Sequence, residues 1–322
     1  MKTAFVTGAT GFVGRHLVEV LLASGAWRLI VLTRDPDNIP PSWRERLTVV
    51  EGQLERQESL ECGLERGTVI FNLAGELSDA SRMEAANVDG VKALLAAAEQ
   101  AGAAKIVHLS TVGVIGSQRP GDITEDEPCT PQNPYEESKY RAELVISSSP
   151  RATPIIVIRP TIVFGDGERK RADSVLAMLR AIARGIFVHF GRGGIANYVY
   201  VGDVVDVCLC AAESPVARAI YNVADPCAMR EIVDAAADEL GVKRPWFVVP
   251  RVVGRPAAMV LERVGKMVGL NSPLTVSRVD ALSSQARYVG QRIRDELGWT
   301  PPLGWRAGLA QTIAWYREKG LL

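Results

Sequence analysis

The stretch Thr7-Gly8-Ala9-Thr10-Gly11-Phe12-Val13-Gly14 decides the fold. It joins Lys2–Thr7, a short apolar run that predicts a strand, to Phe12–Ala23, whose spacing predicts a helix. Gly8 permits a tight turn. Gly11 lets backbone approach a bound group with no Cβ in the way, and Gly14 lets the helix pack closely on the strand. A helix starting there presents unpaired N–H groups and a partial positive charge to an anion. Strand, glycine-rich turn and helix, in that order, favour a dinucleotide pyrophosphate over a plain turn.

Outward from this loop, short apolar runs alternate with longer amphipathic ones. Strands are predicted at Arg28–Thr33, Thr48–Glu51, Val69–Leu73, Lys105–Ser110 and Pro154–Ile158. Helices are predicted at Glu84–Gln100, Tyr135–Ser147 and Val175–Ile186. Runs such as Leu29-Ile30-Val31-Leu32 are continuously apolar, as in parallel strands covered by helices on both faces. Strands alternating with helices indicate βαβ units and a doubly wound sheet. After Phe164 the pattern changes. Gly165–Arg171 is a charged loop and Gly191–Gly194 a turn, and beyond Val223 helices separated by prolines dominate. The predicted organisation is residues 1–163 with 197–225 as the nucleotide-binding domain. Residues 164–196 and 226–322 form a smaller, mainly helical substrate domain. Val252–Leu270 is apolar with Arg251, Arg255, Arg263 and Lys266 interspersed. It reads as a cover over a substrate pocket, with a membrane-surface helix as the second reading.

Bulk properties narrow the class. The chain has 322 residues, enough for about two domains. It is 47% hydrophobic and 23% charged, so disorder is not expected. Lys+Arg and Asp+Glu both total 37, which argues against a nucleic-acid binder that must replace counterions. The five cysteines form no CxxC pair, and His16, His108 and His189 lie far apart, so neither a disulfide framework nor a metal site is expected. No run of about 18 apolar residues occurs, so no membrane span is predicted. The first motif begins at Thr7, so no signal peptide is expected, and the expected location is the cytoplasm.

The second strand ends Val31-Leu32-Thr33-Arg34-Asp35. An acidic residue at such a strand end suits the ribose hydroxyls of NAD, and a basic one the extra phosphate of NADP. Arg34 takes that place, which favours NADP; Asp35 beside it keeps NAD as the alternative. Tyr135-Glu136-Glu137-Ser138-Lys139 opens a helix, with Asn133 as N-cap, Pro134 at the first position and Glu136 as capping-box partner. Tyr135 and Lys139 therefore share one helix face. A phenol is a poor base at neutral pH, and a nearby ammonium favours its ionised form. The same lysine can hold the nicotinamide ribose. At the end of the fifth strand, Ser110-Thr111 offers a hydroxyl to a substrate oxygen. Alone, Tyr-x-x-x-Lys is a common surface pattern; its place after the fifth strand of such a fold gives it weight.

Together these segments resemble an extended short-chain dehydrogenase/reductase of the NAD(P)-dependent epimerase/dehydratase family. The TGxxGxxG loop is Thr7–Gly14. Asn72-Leu73-Ala74-Gly75, Asn87-Val88-Asp89-Gly90, Ser110–Gly116, Pro131–Lys139, Arg159–Gly165, Tyr198–Asp203 and Asp295–Pro301 match the family's further motifs in order. The resemblance implies an α/β, Rossmann-like doubly wound parallel sheet with a smaller helical C-terminal domain. It implies Tyr135 as general acid/base, Lys139 as cofactor anchor and tuner of Tyr135, and Thr111 as holder of the substrate oxygen. It implies a cofactor site of Gly8, Thr10, Gly11, Phe12, Val13, Gly14, Arg34, Gln53, Leu54, Leu73, Ala74, Gly75, Asn87, Tyr135, Lys139, Pro160, Thr161 and Ile162. Val112, Gly113 and Arg192 are the candidate substrate contacts, and the family's pairing through helices leaves room for a homodimer.

Departures from the family pattern narrow the reaction. Sugar-nucleotide dehydratases carry Asp-Glu directly after the catalytic threonine; here Val112 and Gly113 stand there, so no acid is at hand for a leaving hydroxyl. Ala196 replaces the arginine with which many epimerases grip a diphosphate, and Ile115 replaces a tyrosine. The reading is an oxidoreductase acting on a secondary alcohol or ketone of a small molecule. A nucleotide-sugar epimerase is the alternative, and a non-catalytic cofactor-sensing or accessory protein the second.

Overall fold

The computed structural model describes residues 1–116, 119–149, 152–168, 173–267 and 274–322. Seven parallel strands form the main sheet: β1 Lys2–Thr7, β2 Trp27–Thr33, β3 Thr48–Glu51, β4 Val69–Asn72, β5 Lys105–Leu109, β6 Ile155–Pro160 and β7 Arg218–Val223. Their spatial order is β7-β6-β5-β4-β1-β2-β3. The order reverses between β1 and β4, where Thr7 stands opposite Asn72 at the carboxyl ends. In an open parallel sheet, that switch point is where the crevice for a ligand lies.

The continuous apolar runs have the predicted cause. Ala4, Val6, Val31, Phe71, Val107, Ile156 and Ile158 pack on one face beneath helix α1 (Phe12–Ser24) and a helix at Val201–Glu213. Phe5, Ile30, Ile70, Ile106, Ile155 and Val157 pack on the other face. There they meet helix α2 (Gly90–Ala101) and helix α3 (Pro134–Ser148). Burial on both faces leaves no position for a polar alternation. Strand β7 and the helix before it return the chain to the sheet after its first excursion. β7 (Arg-Ala-Ile-Tyr-Asn-Val) lies at the sheet edge and is only half buried, which leaves it a weak strand signal.

Two expected elements differ. The single helix expected at Glu84–Gln100 is a short helix at Ala80–Met83, a π-helical segment at Glu84–Asp89 and then α2. The helix expected at Val175–Ile186 runs Ser174–Ala183, capped by Asp173. A second core joins Phe164, Leu179, Ile182, Val201, Ile232, Val233, Leu309, Ile313 and Tyr316. Around it the chain forms short pairs, Ile162–Phe164 with Tyr198–Tyr200 and Ile195–Ala196 with Cys227–Ala228. Helix α4 (Arg251–Met267) follows a pair of His189–Phe190 with Val248–Val249. Part of the charged loop (169–171) and the end of the apolar stretch (268–270) lie outside the described residues. Among the described residues, no helix is long and apolar enough to cross a membrane.

Candidate active site

The glycine-rich loop is held from both sides. Gly8 adopts φ 71°, and a Cβ on it would lie 2.6 Å from the Ala74 nitrogen. A Cβ on Gly14 would lie 2.0 Å from the Gly8 oxygen, so only glycine allows α1 to begin there. Gly11 caps α1 without a side-chain hydrogen bond, and Thr10, Phe12 and Val13 stay partly accessible. The helix therefore opens at a partly accessible loop, with its positive end toward an anion.

At the end of β2, Arg34 and Asp35 part company. The Asp35 carboxylate accepts the Asp37 amide at 3.0 Å and the Asn38 side-chain amide at 2.7 Å, capping a short turn. Arg34 is exposed and makes no ion pair among the described residues. Gln53 is half-buried. Leu54 is buried against α2, where a Cβ on Gly90 would meet its Cδ2 at 2.9 Å. The Leu54 side chain thus belongs to the core, which leaves its backbone for contact with a ligand.

Lys139 is the centre of the crevice. Its side chain is buried, and Nζ donates to the Leu109 carbonyl at 2.7 Å. Burial lowers its pKa from 10.5 to about 8, opposed by the charge of Glu143 one turn further along α3. Beside it, a Cβ on Gly75 would lie 3.4 Å from Lys139 Nζ and 3.5 Å from Asn87 Oδ1. The missing side chain leaves a cradle between these polar atoms. Leu73, Ala74 and Gly75 line it, partly accessible, after β4. Across the crevice Pro160 and Thr161 are buried, while Ile162 is exposed, an apolar surface that a flat ring could cover. An uncapped helix start, a Cβ-free cradle and a half-open apolar wall fit a dinucleotide.

Tyr135 sits half-buried in the first turn of α3. Asn133 caps that helix through Oδ1 and the Glu136 amide at 3.0 Å, as the sequence predicts. The reciprocal bond differs: Glu136 accepts the Gln132 amide at 2.7 Å, one residue beyond the expected partner, Asn133. Ser138 donates to the Tyr135 carbonyl at 2.8 Å and accepts from Asn87 Nδ2 at 2.8 Å. The other Asn87 hydrogen goes to the Glu76 carbonyl, and its Oδ1 accepts the Glu76 amide at 2.7 Å. Both Asn87 donors are thus committed to protein. Asn87 ties the loop after β4 to the helix carrying Tyr135 and Lys139, and the π-helical segment aims it there.

The hydroxyls at positions 110 and 111 divide their roles. Ser110 is buried and donates to Glu143 at 2.5 Å. Thr111 is half-buried, and its Oγ1 accepts the Gly113 amide at 3.1 Å, which leaves its proton to donate. Behind Lys139, Arg159 grips Glu143 through Nε at 3.0 Å and Nη2 at 2.5 Å, both side chains buried. Thr7 donates to Asn72 Oδ1 at 2.7 Å, and Asn72 Nδ2 donates to His108 Nδ1 at 2.9 Å. Burial, then the charge of Lys139, push the His108 pKa well below 6.5, so this ring is neutral. Glu143, Ser138 and His108 were not among the site residues expected from sequence; their partners lie 16 to 51 residues away.

The candidate substrate contacts are less open. Val112 is buried, and Gly113 is backed by Glu136, whose Cγ a Cβ there would approach to 2.9 Å. Arg192 is exposed in the turn at 191–194, and the nearby Ala196 is buried.

The family model for the NAD dependent epimerase/dehydratase family matches residues 4–224, and the chain belongs to that family. It is 28% identical to an N-acetyl-alpha-D-glucosaminyl-diphospho-ditrans,octacis-undecaprenol 4-epimerase of Escherichia coli O157:H7, covering 95% of this chain and 92% of that protein. It is likewise 28% identical to sterol demethylase protein B of Methylococcus capsulatus, covering 99% of this chain and 100% of that one. Among solved structures, MoeE5 in complex with UDP-glucose and NAD superposes with a TM-score of 0.73 at 24% identity, covering 98% of this chain and 99% of that chain. The relatives are enzymes of the oxidoreductase and epimerase type, and so is this chain.

Proposed function

We propose that the chain is an NAD(P)-dependent oxidoreductase that acts on a secondary alcohol or ketone of low polarity, with NADP the preferred cofactor. One observation carries the reading: a buried Lys139, with a pKa near 8 and its ammonium on the Leu109 carbonyl, stands one helical turn from the half-buried Tyr135.

A bound nicotinamide supplies or takes up the hydride. The protein does the rest. The loop of Gly8, Thr10, Gly11, Phe12, Val13 and Gly14 at the start of α1 would hold the pyrophosphate, and Arg34 would pair with a ribose phosphate. Lys139, with one hydrogen on the Leu109 carbonyl and its Nζ facing Gly75, would hold ribose hydroxyls. In the reductive direction, Thr111 donates to the carbonyl oxygen and Tyr135 Oη gives that oxygen its proton as the carbon gains the hydride. In the oxidative direction, Tyr135 takes the proton back. Lys139 favours the ionised phenol, because its charge lies close by in a water-poor crevice.

Absence of an acid at Val112 and Gly113 supports a simple hydride exchange over dehydration. The buried Ala196, where a diphosphate-gripping arginine is expected, supports a less polar substrate. The test is to incubate purified protein with NADPH or NADH and two panels, lipophilic ketones and nucleotide or lipid-linked sugars. Net cofactor oxidation with a ketone supports the proposal. A second reading, epimerisation, draws on the likeness to an undecaprenol-linked sugar 4-epimerase; a change of sugar configuration without net cofactor turnover would replace the first reading with it.

A further inference from the structure

Helix α4 faces the wrong way for a buried element. Its small residues point inward: Ala258 is fully buried with Phe190 and Val279, and a Cβ on Gly254 would lie 2.7 Å from the Phe190 ring. Its large apolar residues point outward. Val252 is 82% exposed and Val260 59%, with Val253, Met259 and Leu261 exposed beside them. On a helix Val252, Val253, Met259 and Val260 form one stripe, opposite Gly254 and Ala258, and Leu261 lies at its border. Just upstream, Trp246 is 80% exposed and stacks edge-on with the exposed Phe247 at 5.8 Å. An apolar stripe next to an exposed aromatic pair is far more than the scattered single side chains of an ordinary surface.

Charge says what covers it. Residues 242–267 hold six basic side chains and one acidic one. The acidic one, Glu262, is turned inward and accepts the Val276 amide at 3.1 Å. Arg251 and Arg255 share Asp280 and Arg244 pairs with Asp238. Lys243 and Arg263, near the two ends of the patch, are exposed and make no ion pair among the described residues. A second copy of the chain seated symmetrically on this stripe would bring like charges together. An anionic bilayer matches both features at once. Its acyl boundary takes the valines and the aromatic pair, and its headgroups take Lys243 and Arg263.

We propose that residues 243–263 form a membrane-docking face, which seats α4 flat in the surface of an anionic bilayer. The inference is independent of the catalytic reading. The patch adjoins the turn that carries Arg192: Gly191 donates to the Val249 carbonyl at 2.9 Å, and a Cβ on Gly191 would lie 3.8 Å from Arg251 Cβ. Docking there brings the Arg192 turn beside the lipid.

The experiment is flotation of the full chain with two kinds of vesicle: phosphatidylcholine alone, and an equal mixture of phosphatidylcholine and phosphatidylglycerol. The protein floats with the mixed vesicles. Trp246→Ser/Val253→Ser/Val260→Ser lowers the partition coefficient at least tenfold. Lys243→Gln/Arg263→Gln lowers it severalfold, and only for the anionic vesicles, with a loss that high salt mimics. All five side chains are exposed, so unchanged melting temperature and cofactor binding show that the variants are folded. Three outcomes overturn the proposal: no flotation of the parent chain, equal flotation of the triple variant, or a patch-dependent dimer in lipid-free solution that does not float.

Discussion

The ammonium of Lys139 donates to the carbonyl of Leu109 at 2.7 Å, across the end of β5 from the helix that carries it. That bond fixes a buried charge at the floor of the crevice and links the sheet to the chemistry above it. Burial holds its pKa near 8. The fold accepts the cost of desolvating an ammonium where a methionine would pack more cheaply. Lys139→Met is therefore expected to raise stability by about 1–2 kcal/mol at neutral pH while activity falls at least a hundredfold. The sign follows from the depressed pKa. Between about 8 and 10.5 the unfolded chain binds more protons, so the penalty is greatest below pH 8 and fades above it. Thermal melts across that range, beside turnover assays, check both halves.

Glu143 supports that charge from behind and also holds Arg159 and Ser110. Glu143→Gln leaves the buried Arg159 guanidinium without its counter-charge, and a loss of about 3–5 kcal/mol is expected. The same change lowers the Lys139 pKa further, so the alkaline limb of the kcat/KM profile moves to lower pH. Denaturant titration and a pH-rate profile on the variant separate the two effects.

His16, in the first turns of α1, stands 3.6 Å from Asp166 in the loop after Phe164. The bond from His16, opposed by partial burial and joined by one from Tyr200, holds Asp166 near pH 2. Burial opposes ionisation of His16, but Asp166 and the Phe12 carbonyl raise its pKa above 6.5. The Asp166 contribution is present above pH 3.8 and lost as pH falls toward 2; the His16 contribution is complete below 6.5 and lost as pH rises through its raised value. The pair is strongest between those limits. Because both groups are partly solvated, Asp166→Asn should cost only about 1 kcal/mol there and less at alkaline pH. Melting temperatures at about pH 5.5 and about pH 8.5 decide it.

Arg34 is the proposed discriminator of cofactor. With Asp35 engaged in its own turn, Arg34→Ala should weaken NADPH binding about ten- to a hundredfold and leave NADH nearly unchanged. Calorimetric titration with both cofactors measures it; an equal loss for the two would return Asp35 to consideration.

Much of this was legible in the residues. Thr7–Gly14 needed only its glycine spacing, because each glycine answers a local contact. For Tyr135 and Lys139 the helical repeat gave a shared face, and only their place after the fifth strand of such a fold gave the pair weight. Asn87 was legible as a motif member but not as a clamp, since a π-helical turn leaves no periodic mark and its partner Ser138 is 51 residues away. Glu143 carries no sequence signal of its own, because its partner Arg159 lies 16 residues away and only the fold brings the two together. The outward stripe of α4 was visible as an apolar run, but periodicity does not say which side faces the protein. Gly254 and Ala258, packed on Phe190, turn it outward.

The central claim is that Tyr135 moves the proton while Lys139 and the glycine-rich loop hold the cofactor. The most direct measurement pairs NADPH titration with single-turnover reduction of a ketone substrate by Tyr135→Phe. Cofactor affinity within about twofold of the parent and a rate about 10²–10⁴ lower are predicted. A Tyr135→Phe protein that reduces the ketone at the parent rate would contradict the account.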